Sequence, residues 1–451
     1  MGKLSAAPGQ LEQLVALFHV FRWLGGLAMV YATYCFAALF LPAVRSRRLA
    51  TILATVGGGL GWLAMIGLKG LWSNGLPLEF YSPETFGFLS VLGLPHLSAG
   101  RALLLSGLYF FVKGERQPER RLYHGLWGAA AWLGAGIMQP LTVVLGWLVV
   151  GMYVGIRMLV RWWEEKASPA QALRSSSGSI YLAGIMAGLS SPLVLYNLVS
   201  FRSDPFLRGW EAQNIIQSPP VGDYLLAYAW ILPFAILGGY NLWKYAGDRQ
   251  GQLPVVWALL IPVLVYAPLL IQRRMAEGSW VALSVCAAMG LSGTQARRPR
   301  WVLAFTGLAT LSTIMVWIGA TFAVVHPSLP LYRPAEEVNA FLDLAHNAPN
   351  GAIVLGSFET SNALPAWAPV RVVTGHGPES IGIEEVEPQI TRFYQDGATD
   401  AWRESFLKAY GVQYVFWGPL ERALGGWDPK TGAFLRMVYH SAQYDVFQVM
   451  D

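Results

Sequence analysis

Long apolar segments constrain this chain more than any other feature. A membrane-crossing helix needs about 20 mostly apolar residues. Ten stretches approach that length: 14–41, 50–68, 97–113, 122–138, 140–161, 176–199, 222–244, 254–271, 277–292 and 301–324. Only 13% of the 451 residues are charged, which is roughly half of the fraction found in soluble domains. The sequence therefore predicts an α-helical polytopic membrane protein with about ten transmembrane helices.

Charge divides the chain into two predicted domains. Residues 1–330 hold 24 Lys and Arg against 12 Asp and Glu, whereas residues 331–451 hold 8 against 15. After His326-Pro327, β-rich runs alternate with helical periodicity, which is typical of an α/β domain with a largely parallel sheet. The predicted strands are Ala352–Leu355, Val370–Val373, Gln413–Trp417 and Tyr444–Met450, and the predicted helices are Arg333–His346, Ile383–Tyr394 and Trp402–Tyr410. We predict a membrane domain over 1–330 and a soluble domain over 331–451.

Basic residues in the loops predict the orientation of the spans. Alternate loops place 16 basic residues on one side and 6, including Lys3, on the other. Loops rich in Lys and Arg stay in the cytoplasm, so the N-terminus and the domain 331–451 are expected outside the plasma (inner) membrane. The longer loops 69–96 and 200–221 are then external as well. The basic excess belongs to membrane-facing loops, and nothing indicates nucleic acid as a partner.

The loop 69–96 is apolar but broken by Gly75, Pro77, Pro83 and Pro95. Irregular backbone near membrane depth survives where protein or a wet cavity satisfies its polar groups. The carboxylates Glu79 and Glu84 are candidates for function, because charges at this depth are costly. They also fit the headgroup region or the cap of an interfacial helix. His96 fits either a helix-end anchor or a substrate contact.

Other candidate binding residues lie at the predicted outer face. Arg273 and Arg274 run against the positive-inside trend, and they suit either a lipid-linked phosphate or a headgroup anchor. The segment 204–214 suits sugar recognition, with Trp210 as a stacking surface, or an interfacial helix. Its candidate residues are Arg208, Trp210, Glu211 and Gln213. His19 and Arg22, near the outer end of the first span, are candidates for lining the same cavity.

A histidine-containing turn in the predicted soluble domain is a further candidate. Thr374–Glu379 follows a predicted strand and contains His376 between two glycines, which suits a binding loop or a tight structural turn. Elsewhere the glycines of 57–61 lie inside a predicted span, where small residues favour close helix packing over a phosphate loop. The sequence has no P-loop, HExxH or CxxC motif.

Several segments together resemble one family of bacterial membrane proteins. They are HVFR at 19–22, GGLGWL at 58–63, YSPETFGFLSVLGLPH at 81–96, DPFLRGWEAQNIIQSPP at 204–220, YAPLLIQRRMAEG at 266–278, LGSFETSNALPAWAPVRVVTGHGPES at 355–380 and YGVQYVFWGPLER at 410–422. The chain resembles GT-C glycosyltransferases over nearly its whole length. The resemblance implies a GT-C-like fold and transfer of a sugar from a polyprenyl-phosphate donor to a lipid, glycan or protein acceptor. It also implies Arg273 and Arg274 as phosphate ligands and a divalent metal as candidate cofactor.

The sequence departs from the family pattern at its beginning. Family members place a catalytic carboxylate in the first external loop, whereas the charge bias puts this N-terminus outside already. We therefore expect the first span or spans and the catalytic loop to be absent, and no residue inherits the role of catalytic acid. Glu84, and after it Glu79, are the fallback candidates. The alternatives are a non-catalytic binding or assembly protein on the same scaffold and a transporter, which the scarcity of polar residues within the spans disfavours.

Overall fold

The computed structural model describes residues 4, 10–164, 166, 168–245 and 251–450. The chain forms two compact units. The helical unit contains Gln13–Ser203 and Ile215–Ala320, and the α/β unit contains Asp204–Asn214 and Thr321–Asp451. The division after residue 330, drawn from charge and from the change of pattern after His326-Pro327, stays a prediction.

The first 325 residues are largely helical. In chain order the helices are α1 (Gln10–Ala38), α2 (Val44–Val56), α3 (Trp62–Met65), α4 (Gly87–Gly93), α5 (Pro95–Arg116), α6 (Arg121–Met138), α7 (Pro140–Glu164), α8 (Pro169–Ser203), α9 (Pro205–Gln213), α10 (Val221–Tyr228), α11 (Leu232–Tyr245), α12 (Gln252–Leu264), α13 (Ser279–Arg297), α14 (Pro299–Ala309) and α15 (Leu311–Val325). Each of the ten predicted spans overlaps at least one of these helices. Apolar length thus located the helices well.

Among the described residues, four apolar helices are long enough to cross a membrane, and the number rises to six if each of two bent helix pairs counts as one span. The four are Glu12–Ala38, Pro140–Trp163, Pro169–Ser203 and Gln272–Arg297. The bent pairs are α10 with α11, at 80°, and α14 with α15, at 41°. Helix α12 has 13 residues, which is shorter than a bilayer requires for one straight crossing.

The second predicted span, 50–68, is not one helix, and here the prediction was wrong. Helix α2 ends at Val56, and the glycine-rich segment 57–61 that follows is not helical. Its backbone lies so close to α10 that a Cβ on Gly59 would overlap the carbonyl of Ala227. Glycine permits this approach because it carries no side chain. The segment therefore packs closely, as expected for small residues, but it does so as non-helical backbone and not as part of a helix.

The core of the helical unit depends on close helix crossings and large buried rings. A Cβ on Gly238 of α11 would overlap the backbone of Cys286 in α13. Trp132, Trp257 and Trp280 are almost fully buried. The indole of Trp132 fills a notch that lacks side-chain atoms at Gly107 of α5. These contacts fix α5, α6, α11 and α13 as the frame that carries the loops.

The α/β unit contains a five-stranded sheet. Its elements after residue 325 are α16 (Ala335–Asn347), β1 (Ile353–Leu355), α17 (Phe358–Ala363), β2 (Arg371–Val372), α18 (Ile383–Tyr394), α19 (Asp400–Ala409), β3 (Tyr414–Trp417), α20 (Pro419–Leu424), β4 (Leu435–His440) and β5 (Asp445–Val449). The strand order is β2-β1-β3-β5-β4. All four predicted strands and all three predicted helices are present, within a few residues of the expected bounds.

The sheet is mixed, so the prediction of a largely parallel sheet was wrong. Strand β1 pairs in parallel with β2 and β3, but β3 with β5 and β4 with β5 are antiparallel. The cause is strand β4, which the sequence analysis missed. Only Leu435 of this strand is buried, and its apolar Met437 and Val438 are about 40% exposed. An edge strand of this kind shows little alternation of apolar and polar residues.

Candidate functional site: an anion pocket in the helical unit

The loop 69–96 is irregular in the helical unit, as the sequence predicted. It contains short 3₁₀ turns at Lys69–Leu71 and Leu78–Phe80 before α4 begins at Gly87. Gly75 has φ +66°, a left-handed conformation that favours glycine. Three polar anchors tie this loop to other segments of the unit.

Arg101 of α5 is the first of these anchors. Its side chain is 1% exposed, and its Nε donates to Glu277 Oε1 at 2.6 Å. Nη2 donates to the carbonyls of Pro83, at 2.7 Å, and Glu84, at 2.6 Å. The Gly278 N–H donates to the same Glu84 carbonyl at 3.0 Å. One buried ion pair therefore ties α5, the loop and the start of α13 together.

Glu79 is the second anchor. Its Oε1 accepts from the Gly61 N–H at 2.6 Å and lies 3.5 Å from the Ser312 hydroxyl. Ser312 in turn accepts from the Trp62 N–H at 3.1 Å. Burial raises the pKa of Glu79 to about 6, although the hydrogen bonds to the carboxylate oppose that shift. These contacts fasten the loop to the turn after α2.

Asp223 is the third anchor, at the first turn of α10. Its carboxylate accepts from the Ser73 N–H at 3.2 Å and from the Ser73 hydroxyl at 2.6 Å. Asp223 is 4% exposed, so the pair is held inside the unit. Ser73 is thereby fixed in the wall of an open pocket.

This pocket has a volume of about 480 Å³. It is lined by Ser73, Asn74, Leu76, Tyr81, Gln217, Ser218, Pro219, Pro220 and Arg273. The Arg273 guanidinium lies over the Tyr81 ring, 4.8 Å from its centroid. Its Nε is buried and has no hydrogen-bond partner within the described residues. A guanidinium that lines a cavity beside hydroxyl and amide groups suits a phosphate or another oxyanion.

A narrow apolar groove of about 160 Å³ lies beside the pocket. It runs between α10 and α12 and is lined by Val221, Tyr224, Leu225, Tyr228, Leu232, Ala258, Ile261, Pro262, Val265, Tyr266 and Leu283. Two hydrogen bonds join the walls of the two cavities. Ser218 and Tyr224 pair through their hydroxyls at 3.0 Å, and the Tyr266 hydroxyl donates to the Pro219 carbonyl at 2.7 Å.

Arg274 points to a different neighbour from Arg273, because adjacent residues of a 3₁₀ turn are about 120° apart. Its Nε lies 3.9 Å from Glu84 Oε1, at the limit of an ion pair. Glu84 is 6% exposed, and its other oxygen lies 3.5 Å from the Ser82 hydroxyl. The two arginines thus have separate surroundings, although the sequence grouped them.

The remaining candidates of the helical unit lie elsewhere. Arg22 donates from Nη1 to the Leu92 carbonyl at 3.0 Å and so contacts the end of α4. His19 makes an edge contact with the neighbouring Phe18 ring. His96 is the second residue of α5 and is exposed. None of the three lines the Arg273 pocket, and their role in binding stays a prediction.

The α/β unit brings α9 to the turn that contains His376. Gln213 donates from Nε2 to the Ser380 carbonyl at 3.1 Å and accepts from the Gly382 N–H at 3.4 Å. His376 Nδ1 lies 2.6 Å from Glu379 Oε2 on an exposed surface. The structure therefore places the predicted residues Arg208, Trp210, Glu211 and Gln213 on a helix beside His376, a pairing that the sequence did not indicate.

Within the described residues, no group of three or more His, Cys, Asp and Glu side chains could hold a metal ion. The acidic residues nearest the pocket are engaged with the chain, as Asp223 is with Ser73. The residues present therefore do not fit the implied divalent metal, and no step is assigned to one.

Comparison with known proteins gives no match to a family model and no match among curated proteins. Solved structures do match. ArnT from Cupriavidus metallidurans, bound to undecaprenyl phosphate, has a TM-score of 0.51 at 14% identity, over 95% of this chain and 83% of ArnT. The chain has a GT-C-like fold.

Two further structures support the same fold. The Archaeoglobus fulgidus oligosaccharyltransferase tethered to an acceptor peptide has a TM-score of 0.50 at 14% identity and matches 92% of this chain. The arabinofuranosyltransferase AftD from Mycobacteria has a TM-score of 0.50 at 15% identity and matches 90%. The chain spans 59% of the oligosaccharyltransferase and 33% of AftD.

These matches confirm the resemblance and the fold class predicted from the sequence. The protein is a multi-pass membrane protein with a GT-C-like helical part and a C-terminal α/β part. At 14–15% identity the likeness concerns the fold, so donor, acceptor and orientation in the membrane are matters for proposal.

The sequence analysis missed Arg101, Glu277 and Asp223, which position the pocket. A signal for Arg101 was present, since an arginine inside an apolar span is costly unless it is paired. Glu277 stands at the first residue of a predicted span, and Asp223 near the start of another. Their partners are 150 to 176 residues apart in sequence, so the pairs themselves could not be read from one chain.

Proposed function

We propose that this protein is a GT-C-type membrane glycosyltransferase that takes a sugar from a polyprenyl-phosphate donor. The observation that carries the proposal is the Arg273 pocket. The Arg273 side chain lines this cavity, whose walls also carry serine, asparagine and glutamine. Phosphate binds through guanidinium donors, while hydroxyl and amide groups bind sugar hydroxyls.

The apolar groove beside the pocket supports a lipid-linked donor in particular. A polyprenyl phosphate combines an anionic head with a long apolar chain. The pocket offers a cation, and the groove between α10 and α12 offers mostly aliphatic and aromatic walls. ArnT, which shares the fold, was solved with undecaprenyl phosphate bound.

In the proposed reaction an acceptor oxygen or nitrogen attacks the anomeric carbon of the sugar with inversion. The bond from that carbon to the phosphate oxygen breaks, and polyprenyl phosphate leaves. Arg273 would stabilise the charge that develops on the leaving phosphate. A carboxylate must accept the acceptor's proton. Glu84 is our candidate, with Glu79 and His96 on the acceptor side, and the α/β unit would help to present the acceptor.

One observation favours a non-catalytic binding protein as the second candidate. The described residues that line the pocket include no Asp or Glu. Oε1 of Glu79 already accepts hydrogen bonds from the Gly61 N–H and the Ser312 hydroxyl. A pocket that offers a guanidinium to bind an anion, but no general base in its wall, can hold a lipid phosphate without transferring the sugar.

A transfer assay separates the two candidates. Purified protein in lipid vesicles receives polyprenyl-phosphate-linked, labelled hexoses and pentoses, and label in lipid, glycan or protein acceptors is measured. We expect transfer by the wild type, about tenfold less with Arg273→Ala, and loss of transfer but retained donor binding with Glu84→Gln. Donor binding without transfer would establish the binding protein, and neither binding nor transfer would refute both.

The proposal also places the α/β unit on the outer face of the plasma membrane. Protease added to right-side-out vesicles should digest this unit, while inverted vesicles should protect it. Digestion only in inverted vesicles would reverse the orientation inferred from the basic loops.

A further inference from the structure

A second polar-and-apolar pocket lies in the helical unit where α2 and α14 begin. It has a volume of about 450 Å³. It is lined by Arg45, Arg48, Leu49, Ile52, Gln295, Pro299, Val302, Leu303 and Thr306. None of the residues that line this second pocket lines the Arg273 pocket. The proposed transfer reaction does not use it.

The rim of this pocket is cationic. Arg45 and Arg48 are both exposed, and neither side chain has a hydrogen bond or ion pair to another residue in the part of the chain that the structure describes. Gln295 of α13 is fixed beside them, since its Oε1 accepts from the Ser46 hydroxyl at 3.2 Å and its Nε2 donates to the Arg45 carbonyl at 3.4 Å. Two guanidinium groups and an amide therefore converge on one opening.

One helix N-terminus adds to the positive potential at the rim. Helix α2 begins at Val44 and has no side-chain cap. The first N–H groups of a helix lack partners within the helix, and the N-terminal end of the helix dipole attracts anions. Two arginines beside this end make a site for an oxyanion such as a phosphate.

The floor of the pocket is apolar and faces the surroundings of the unit. Leu49 and Val302 are buried, whereas Ile52 is 43% exposed and Leu303 is 73% exposed. In a membrane-spanning unit, exposed aliphatic side chains on α2 and α14 meet acyl chains. The pocket therefore combines a phosphate site with an apolar wall that continues toward the bilayer.

We infer that this pocket binds an anionic phospholipid of the surrounding membrane. The headgroup phosphate contacts Arg45, Arg48 and the N-terminus of α2, and an acyl chain lies along Ile52 and Leu303. Basic pockets between transmembrane helices bind anionic lipid headgroups in this way. Free phosphate has the same chemistry as the headgroup phosphate, but it has no acyl chain to contact the apolar wall. We therefore favour the lipid as the occupant.

Native mass spectrometry of the full chain in a neutral detergent tests the inference. Phosphatidylglycerol is titrated onto the wild type, onto Arg45→Ala with Arg48→Ala, and onto Arg120→Ala with Arg174→Ala. The last variant is the matched control, because it removes the same charge from exposed arginines that do not line the pocket. We expect binding at least about tenfold weaker in the pocket variant, and within about twofold of the wild type in the control.

Two further arms separate the lipid from a free anion. Phosphatidylcholine should bind the wild type several-fold more weakly than phosphatidylglycerol, and inorganic phosphate should not displace bound phosphatidylglycerol. Leu303→Ser should weaken phosphatidylglycerol binding while the protein stays folded, because Leu303 is mostly exposed. Displacement by inorganic phosphate would show an anion site only and overturn the inference.

An equal loss of phosphatidylglycerol binding in the two double variants would also overturn the inference, since binding would then depend on net charge and not on this pocket. So would unchanged binding after Arg45→Ala with Arg48→Ala. Because Arg273 is untouched in every variant, undecaprenyl phosphate binding at the first pocket should stay at the wild-type level. Failure of one site is therefore distinguishable from failure of the other.

Discussion

Arg101 and Arg273 lie in the same unit and touch the same loop, yet their surroundings differ. The Arg101 region is closed: the side chain is 1% exposed, and its donors reach Glu277 and two loop carbonyls. The Arg273 region is open: one face lies on Tyr81, and Nε has no partner in the described chain. An arginine whose donors are used by the chain holds structure, while one that lines an open cavity is available to a ligand.

The largest expected effect tests the closed region. Arg101→Met removes the charge that faces Glu277 and should lower the free energy of unfolding by about 3–5 kcal/mol, because a buried carboxylate is left unpaired. Thermal unfolding in detergent measures the loss. Arg101→Met with Glu277→Leu should recover part of it, since both charges are then gone. A single variant that unfolds like the wild type would show that the pair does not hold the loop.

The next effect tests Glu79, the anchor that carries a buried carboxyl. Its pKa is raised by burial from 4.5 to about 6, so the folded state binds more protons than the unfolded state between these pH values. The contribution of Glu79 to the free energy of unfolding is fully present below about pH 4.5. As the pH rises through 6, the free energy of unfolding falls by about 2 kcal/mol. Glu79→Gln should remove this dependence from thermal unfolding curves.

The matched control for that experiment is Glu119→Gln, at an exposed glutamate. It should leave the pH dependence of unfolding unchanged. If Glu79→Gln and the wild type showed parallel curves between pH 4.5 and 6, Glu79 would not be a buried titrating anchor, and its place as a fallback catalytic carboxylate would gain weight.

A smaller effect separates the two adjacent arginines. Arg274 is a third exposed and lies 3.9 Å from Glu84, outside the pocket that Arg273 lines. Arg274→Ala should therefore change undecaprenyl phosphate affinity by less than about threefold, because exposed charges contribute at most about 1 kcal/mol. Equal losses for Arg273→Ala and Arg274→Ala would restore the view that both hold the phosphate together.

The sequence predicted the features that depend on local pattern. Apolar length located the helices, and residues 383–394 were expected as a helix with the bounds observed for α18. Prediction from the sequence failed where the structure depends on backbone geometry or on pairing between distant residues. The glycines at 57–61 suggested part of a span, but their backbone is not helical and approaches Ala227 closely. The half-exposed strand β4 carried too weak a pattern to be recognised.

The candidate site shows the same division. Arg273 could be selected because a cation at the predicted outer face is unusual, and the broken loop 69–96 could be selected because it cannot form one helix. Arg101 and Glu277 meet across 176 residues, and Ser73 and Asp223 across 150. Such pairs depend on the packing of α5, α10 and α13, which one sequence does not specify.

Equilibrium binding of undecaprenyl phosphate to Arg273→Ala tests the central claim most directly. The wild type, Arg273→Ala and Arg273→Lys are compared in the same detergent, with melting temperature as the control for folding. We predict an affinity about tenfold lower or worse for Arg273→Ala, an intermediate value for Arg273→Lys because lysine keeps the charge but loses the planar fork, and little change in melting temperature. Unchanged affinity in Arg273→Ala would contradict the assignment of this pocket to a lipid-linked phosphate.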